Sequence, residues 1–172
     1  MATRNARKGA IDPRTGAIRF DEWDTVLHPT TTLKAFLATS LGRACTPVLA
    51  NDYIDYVGLG WCRLGGREFD VMVAFKPKGG TIDWMSLSLN EDYDGETVYE
   101  AQMALNAAHW RWLKRQLPDA RALPNGEWQF AWGTVAARYI AKNDECAIII
   151  DYDKPKKKPP RRAARRRTRS KA

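Results

Sequence analysis

Residues 96–117 read ETVYEAQMALNAAHWRWLKRQL, and this stretch decides the fold class of the chain. It contains no Gly or Pro and is rich in Ala, Gln and Glu, which favour helix. Pro118 follows directly, and a proline disfavours helical backbone at the residue before it. We therefore predict one long helix over residues 96–117, with Leu105 and Trp112 on its buried side.

Strand patterns lie on both sides of this helix. Residues 69–75 alternate with a period of two, which is typical of a strand with one buried face. Gly65-Gly66 before them indicates a tight turn. The predicted strands cover residues 17–20, 53–63, 69–75, 82–89, 127–141 with a bend near Gly133, and 146–152. Sequential strands of this kind predict an antiparallel sheet of five or six strands.

A second, shorter helix is predicted after residues 28–32, where a Thr can act as N-cap. Its apolar stripe consists of Leu33, Phe36, Leu37 and Leu41, and Gly42 is expected to end it. An antiparallel sheet with two helices on one face belongs to the α+β class. We therefore predict an α+β fold, with a single domain over residues 11–153 and a flexible basic N-terminus over residues 1–10.

The charge of the chain is unevenly distributed. Its 172 residues contain 28 Lys and Arg against 20 Asp and Glu, but residues 154–172 alone hold 11 basic side chains and no acidic one. The other 153 residues therefore carry a net charge of −3. The chain thus combines a mildly acidic body with a cationic tail.

The tail reads KPKKKPPRRAARRRTRSKA and is predicted to be disordered, because its charges repel and its prolines oppose regular structure. Its expected ligand is a polyanion such as DNA or RNA. An acidic protein surface or anionic lipid head groups stay open as alternatives. The residues expected to bind the polyanion are Lys156, Lys157, Lys158, Arg161, Arg162, Arg165, Arg166, Arg167 and Arg169.

No motif for catalysis or for metal binding is present. The two histidines, His28 and His109, lie in no nucleophile elbow, HExxH or phosphate loop. The three cysteines have no paired metal-ligand spacing, and we expect free thiols, with a Cys45–Cys62 disulfide left open. We therefore expect no catalytic residue, no metal and no cofactor.

The long helix carries more apolar surface than one sheet can cover. A helix on a sheet needs an apolar stripe of about 100°. A second stripe contains Tyr99, Met103, Trp110 and Leu113. We predict that these four residues form a partner-binding or dimer face, and additional core beneath the first helix is the alternative.

One segment resembles a known class of proteins. The run Phe130-Ala131-Trp132-Gly133-Thr134-Val135, followed by Tyr139, Lys142 and Ile148-Ile149-Ile150, resembles the C-terminal half of small bacterial proteins of toxin-immunity type. The order of elements over residues 31–152 also resembles type III secretion chaperones. Chaperones of that class are more acidic and end in a helix, which weighs against this second variant. Both resemblances imply binding rather than catalysis.

These features together predict a cytoplasmic, non-enzymatic protein-binding module. No segment of about 18 apolar residues is present, and the N-terminus has no apolar signal region. The acidic body suits a basic toxin or effector as partner, since complementary charge favours docking. A nucleic-acid-associated protein anchored by its tail is the alternative. A homodimer and a hydrolase with an unrecognised site stay open.

Overall fold

The computed structural model describes residues 10–45, 49–50 and 55–153, apart from positions 92, 94 and 96. The first part of the chain forms two short strands and two short helices. One long helix then divides the remaining strands into two groups along the chain. In chain order the elements are β1 (Ile18–Arg19), β2 (Val26–Leu27), α1 (Leu33–Leu37), α2 (Ser40–Ala44), β3 (Leu49–Ala50), β4 (Asp55–Leu64), β5 (Arg67–Phe75), β6 (Ile82–Leu89), α3 (Val98–Gln116), β7 (Glu127–Phe130), β8 (Gly133–Ile140) and β9 (Glu145–Asp151).

Seven of these strands form one antiparallel sheet in the order β3-β4-β5-β6-β9-β8-β7, and β1 and β2 form a separate hairpin. The predicted α+β class is confirmed. The sheet has six strands of four or more residues, the upper end of the prediction, and the two-residue β3 adds a seventh strand at one edge. The helix between β6 and β7 leads to a three-stranded unit whose last strand, β9, returns to pair with β6.

One face of the sheet carries the core. Trp112 of α3 packs on Phe69 of β5 with ring centroids 4.8 Å apart, and Phe36 of α1 packs on Phe75 of the same strand at 5.7 Å. Both phenylalanines lie on the same face, because side chains alternate along a strand. The N-terminal segment packs there too, since the Tyr152 hydroxyl donates a hydrogen bond to the Gly16 carbonyl at 3.0 Å.

The long helix forms where it is predicted. A capping box begins it: the Thr97 hydroxyl accepts from the backbone N–H of Glu100, whose carboxylate accepts from the backbone N–H of Thr97. Trp112 is fully buried as predicted, whereas Leu105 is only half-buried. Among the described residues no helix combines the length and the apolar character that crossing a bilayer requires.

The predicted helix after Thr32 is two helices. Thr32 caps α1 and Thr39 caps α2, each through its side-chain oxygen. Gly42 lies inside α2 and does not end the helix, which corrects the prediction. A Cβ at Gly42 would overlap the carbonyl oxygen of Phe36, so the glycine lets α2 pack closely on α1.

The predicted bend near Gly133 is a tight hairpin. β7 and β8 pair from Phe130 with Gly133 outward, and Ala131 and Trp132 form the turn. The indole of Trp132 stacks on the Phe130 ring, with centroids 4.8 Å apart and planes 4° from parallel. The interpretation of residues 127–141 as one bent strand is therefore wrong.

The two chain ends are only partly described. Ala10, predicted to be flexible, is buried, and its N–H donates to the Gln116 side-chain oxygen at 2.8 Å. Residues 1–9 and the predicted tail, residues 154–172, lie outside the described residues.

Candidate functional site

The four residues predicted to form a partner face differ in exposure. Tyr99 is 56% exposed and contacts the Tyr139 ring at 5.7 Å. Met103 and Trp110 are half-buried, while Leu113 has no exposed surface at all. Leu113 belongs to the core, whereas Tyr99, Met103 and Trp110 keep exposed surface on one side of α3, so a partner face at these three residues stays a prediction.

Much of the second apolar stripe of α3 is covered by the chain that follows the helix. Trp110 packs on Trp128 of β7 with ring centroids 4.5 Å apart, and the Lys114 ammonium lies 5.2 Å from the Trp110 ring. Trp110 is therefore partly covered within the same molecule, by the strand that comes next in the chain. The predicted polyanion-binding residues of the tail fall outside the described residues.

The opposite face of the sheet has no described helix packed on it. Every helix contact noted above falls on the core face. Strand alternation and the register place a different set of side chains on the other face, called here the open face. Its side chains include Tyr56, Trp61, Met72, Ala74, Trp84, Ser86, Ser88, Ala136, Arg138, Ala147 and Ile149.

Large apolar groups stand on the open face. Trp61 is 58% exposed and Met72 is 44% exposed. Tyr56 and Trp84 meet edge to face at 5.8 Å across Ala74, which lies between them on the middle strand and is too small to separate their rings. A sheet face that contacts only water is usually polar, whereas this face carries two tryptophans, a tyrosine and a methionine.

The open face is also acidic. In the described strands it carries five acidic side chains and two basic ones. They are Glu68, Asp70, Glu127, Glu145 and Asp151, against Arg63 and Arg138. Arg138 pairs with Glu127 at 3.1 Å, and Arg63 lies 3.8 Å from Glu22 outside the sheet. Both cations are therefore engaged, and the field of the face is negative.

The two central strands diverge at one end of this face. Pairing between β6 and β9 stops at Leu87 with Ile148. Beyond that point, side chains replace the ladder: the Leu89 N–H donates to Nε2 of His109 at 3.0 Å, and the Ser88 hydroxyl donates to the Cys146 carbonyl at 3.3 Å. The gap that results exposes part of α3 to the open face.

A cavity of about 280 Å³ occupies this gap. It is lined by Asp70, Met72, Ser86, Ser88, Gln102, Leu105, Ile140, Glu145, Cys146 and Ala147. Gln102 lies on α3, beneath the strands, and its buried side-chain oxygen has no hydrogen-bond partner among the described residues. The cavity therefore joins carboxylates, hydroxyls and an unpaired amide oxygen with apolar walls.

Two side chains that could carry reactions, His109 and Cys62, are held in their neutral forms. Burial lowers the pKa of His109 to about 4, so its ring is neutral at pH 7. Burial, together with the nearby Cys45, Glu22 and Asp70, raises the pKa of the Cys62 thiol to about 11, which keeps it protonated. All three cysteines are free, so the Cys45–Cys62 disulfide left open is not formed. In the described part of the chain no three His, Cys, Asp or Glu side chains are grouped to hold a metal ion.

A larger surface cavity, of about 620 Å³, lies beside the N-terminal hairpin. Its polar lining mixes Arg14, Arg19 and His28 with Asp12 and Asp119. No single charge or chemical class dominates it, and it has no unpaired buried polar atom. The open face therefore remains the stronger candidate.

Comparison of the chain with known protein families, with curated proteins and with solved structures finds no match. The resemblance to immunity proteins and secretion chaperones stays a prediction. The candidate site consequently rests on its own geometry.

The sequence contains a signal for the open face that the predictions did not use. In residues 67–75 the second face of the strand carries Met72 and Ala74 beside two acids, and Trp61 stands in the preceding strand. Aromatic or large apolar residues on the strand face that does not carry the alternating core residues indicate a second, binding surface.

Proposed function

We propose that the protein is a non-enzymatic binding module of the cytoplasm, and that its open face binds a basic polypeptide partner. The observation that carries this proposal is an acidic, aromatic sheet face on which no described helix packs. Aromatic side chains commonly anchor protein interfaces, and a contiguous apolar patch on a surface marks interaction sites. We propose that this binding serves an immunity-like or a chaperone-like role.

Charge supports the choice of partner. Complementary charge accelerates association and orients the partner, even where it adds little affinity. The open face has three more acidic than basic side chains, and its two arginines are already paired. A partner that presents Lys or Arg side chains beside an apolar segment therefore fits this face.

The proposal is tested with the full-length Trp61→Ser/Met72→Ser variant. Partners are captured from extracts of the cells that make the protein and quantified by mass spectrometry, and the affinity for the purified partner is then measured by calorimetry. We expect at least a tenfold loss of affinity, because exposed Trp residues at interfaces often contribute about 2 kcal/mol or more.

The matched control is Val98→Ser/Tyr99→Ser, which removes two equally exposed apolar side chains at the start of α3. This variant should bind like the wild type. If it loses the partner while the open-face variant keeps it, the interface lies on the helix and the proposal fails.

A second candidate function rests on the 11 basic side chains of residues 154–172. Such a segment releases counterions from nucleic acid and binds it without sequence preference. The protein would then be a nucleic-acid-associated protein held by its tail. The tail and the open face are separate elements, so each is testable without the other.

A further inference from the structure

We infer that the cavity between β6 and β9 is a subsite for a basic side chain, a guanidinium or ammonium group on an aliphatic stem. The inference deepens the proposed function and rests on it, because it names the group that a basic partner inserts into the open face. Four features of the cavity support it: its polar lining, its apolar walls, its size and its position.

The polar lining consists mainly of hydrogen-bond acceptors. Asp70 and Glu145 contribute carboxylates, and neither forms an ion pair with a described residue. The buried Gln102 side-chain oxygen has no partner among the described residues, and an unsatisfied buried acceptor is destabilising until a donor reaches it. Ser88 uses its hydroxyl proton on the Cys146 carbonyl, which leaves its oxygen free to accept.

The described residues that line the cavity include no Lys, Arg or His. A ligand that brings several N–H donors and a positive charge would satisfy this lining, whereas an anion would be repelled. Arginine presents five N–H donors in a planar fork and lysine presents three. The lining therefore selects a cation.

The walls suit the stem of such a side chain. Met72, Leu105, Ile140 and Ala147 supply apolar surface around the acceptors. Long basic side chains bury their methylene stems along apolar surface and keep the charged end on polar groups. At about 280 Å³ the cavity is slightly smaller than the usual ligand pocket, about 300–1,000 Å³, which suits one side chain better than a whole cofactor.

Two sources could supply the side chain: a separate basic partner, or residues 154–172 of this chain. The described chain ends at Asp153, at the opposite end of β9 from the cavity. To reach the cavity from Asp153, the tail must run back along the seven residues of β9. Extended chain rises about 3.3 Å per residue, so this path needs roughly 23 Å of backbone. Arg161 and Arg162 are the first arginines of the tail with that reach.

The test uses the full-length protein labelled with ¹³C at its methionine methyl groups and observed by NMR. Met72 lines the cavity, whereas Met85 is fully buried on the core face and serves as an internal control. The probe is argininamide, and the control is citrullinamide, which carries a neutral ureido group of nearly the same shape in place of the guanidinium. We expect a saturable shift of the Met72 methyl signal with argininamide and no shift with citrullinamide.

The variant that tests the acceptors is Asp70→Asn/Glu145→Gln, which should weaken argininamide binding at least tenfold. Asp24→Asn/Glu68→Gln makes the same change in net charge outside the cavity, and it should bind argininamide like the wild type. Equal weakening by both variants would show a diffuse charge effect and overturn the subsite. So would absence of any Met72 response to argininamide, both in the wild type and in the variant Arg161→Gln/Arg162→Gln.

A further arm separates the two sources, using the full chain with Arg161→Gln/Arg162→Gln. If the tail occupies the cavity, this variant shifts the Met72 signal without any ligand and binds argininamide more tightly. If a separate partner occupies it, both the signal and the affinity stay as in the wild type. Either result supports the subsite.

Failure of the subsite and failure of the proposed function give different results. If partner capture survives Asp70→Asn/Glu145→Gln and argininamide has no effect on Met72, the open face still binds but the cavity is not a basic subsite. If capture survives Trp61→Ser/Met72→Ser, the open face is not the interface, even where argininamide binds.

Discussion

At the scale of single residues, His109 shows how one side chain completes a sheet. Its ring is fully buried, and Nε2 accepts the Leu89 N–H that the diverging strands leave without a strand partner. This hydrogen bond assigns the ring proton to Nδ1. Because burial disfavours the charged ring, the pKa of His109 falls to about 4.

The titration of His109 predicts that the protein is less stable in mild acid. Between pH about 6.5 and about 4 the unfolded chain binds a proton at this residue and the folded chain does not, so the free energy of unfolding falls as the pH falls through this window. One pKa unit corresponds to about 1.4 kcal/mol, which makes the full loss roughly 3 kcal/mol. Urea unfolding at pH 7.5 and at pH 5 measures the first part of it.

The two histidines of the chain provide a matched pair for this measurement. His109→Gln keeps a hydrogen-bond acceptor for Leu89 but cannot titrate, so most of the loss between pH 7.5 and pH 5 should disappear. His28→Gln changes an exposed side chain and should keep the loss. If the free energy of unfolding of the His109→Gln variant still falls by the full amount between pH 7.5 and pH 5, the loss comes from the carboxylates and not from His109.

At the scale of elements, the joint between α1 and α2 depends on the absence of a side chain. The sequence shows an apolar stripe from Leu33 to Leu41 that is continuous at helical spacing. The helix nevertheless breaks, because Thr39 caps a new one, and Gly42 then packs against the Phe36 carbonyl. Phe36 and Leu41 are both buried by this arrangement, while Leu37 is exposed.

We predict that Gly42→Ala destabilises the protein by about 1–3 kcal/mol, the usual cost of forcing extra volume into a packed site. Gly58→Ala is the control, since a Cβ there has no atom within 4 Å and its backbone is not left-handed. The control should be near neutral. Thermal unfolding of the two variants measures the difference, and equal stability would contradict the close approach of the two helices.

At the scale of the whole molecule, net charge divides the chain into an acidic body and a basic segment of 11 positive charges. We predict that residues 1–153 lose binding to a nonspecific DNA duplex that the full-length protein shows. The full-length affinity should fall steeply as salt rises, because each neutralised phosphate releases counterions. A shift assay at low and at moderate salt compares the two proteins.

The melting temperature of the shortened protein is the control for this comparison, and it should hardly change. Equal DNA affinity of the two proteins would show that the tail is not the nucleic-acid element. A large loss of stability on shortening would show that residues 154–172 dock on the body, in agreement with the tail as occupant of the cavity.

The sequence by itself determined the features that depend on near neighbours. The helix of α3 follows from 19 residues without Gly or Pro and a cap at Thr97, and β5 follows from its period of two. The turn at Gly65-Gly66 follows from two glycines, both of which adopt positive φ. These signals are local because helix propensity, capping and alternation act over a few residues, and they were sufficient for the α+β class.

Only the tertiary structure decided which surfaces are covered. Alternation shows that β5 has two faces, but it does not show that the helices pack only against the face of Phe69 and leave Met72 on the other. The sequence left Trp110 and Leu113 as surplus apolar surface, whereas in the structure Trp110 packs on Trp128 of β7 and Leu113 is fully buried. The cavity arises where β6 diverges from β9, a strand more than 50 residues later. Such pairings join segments that are distant in the chain, so no local pattern encodes them.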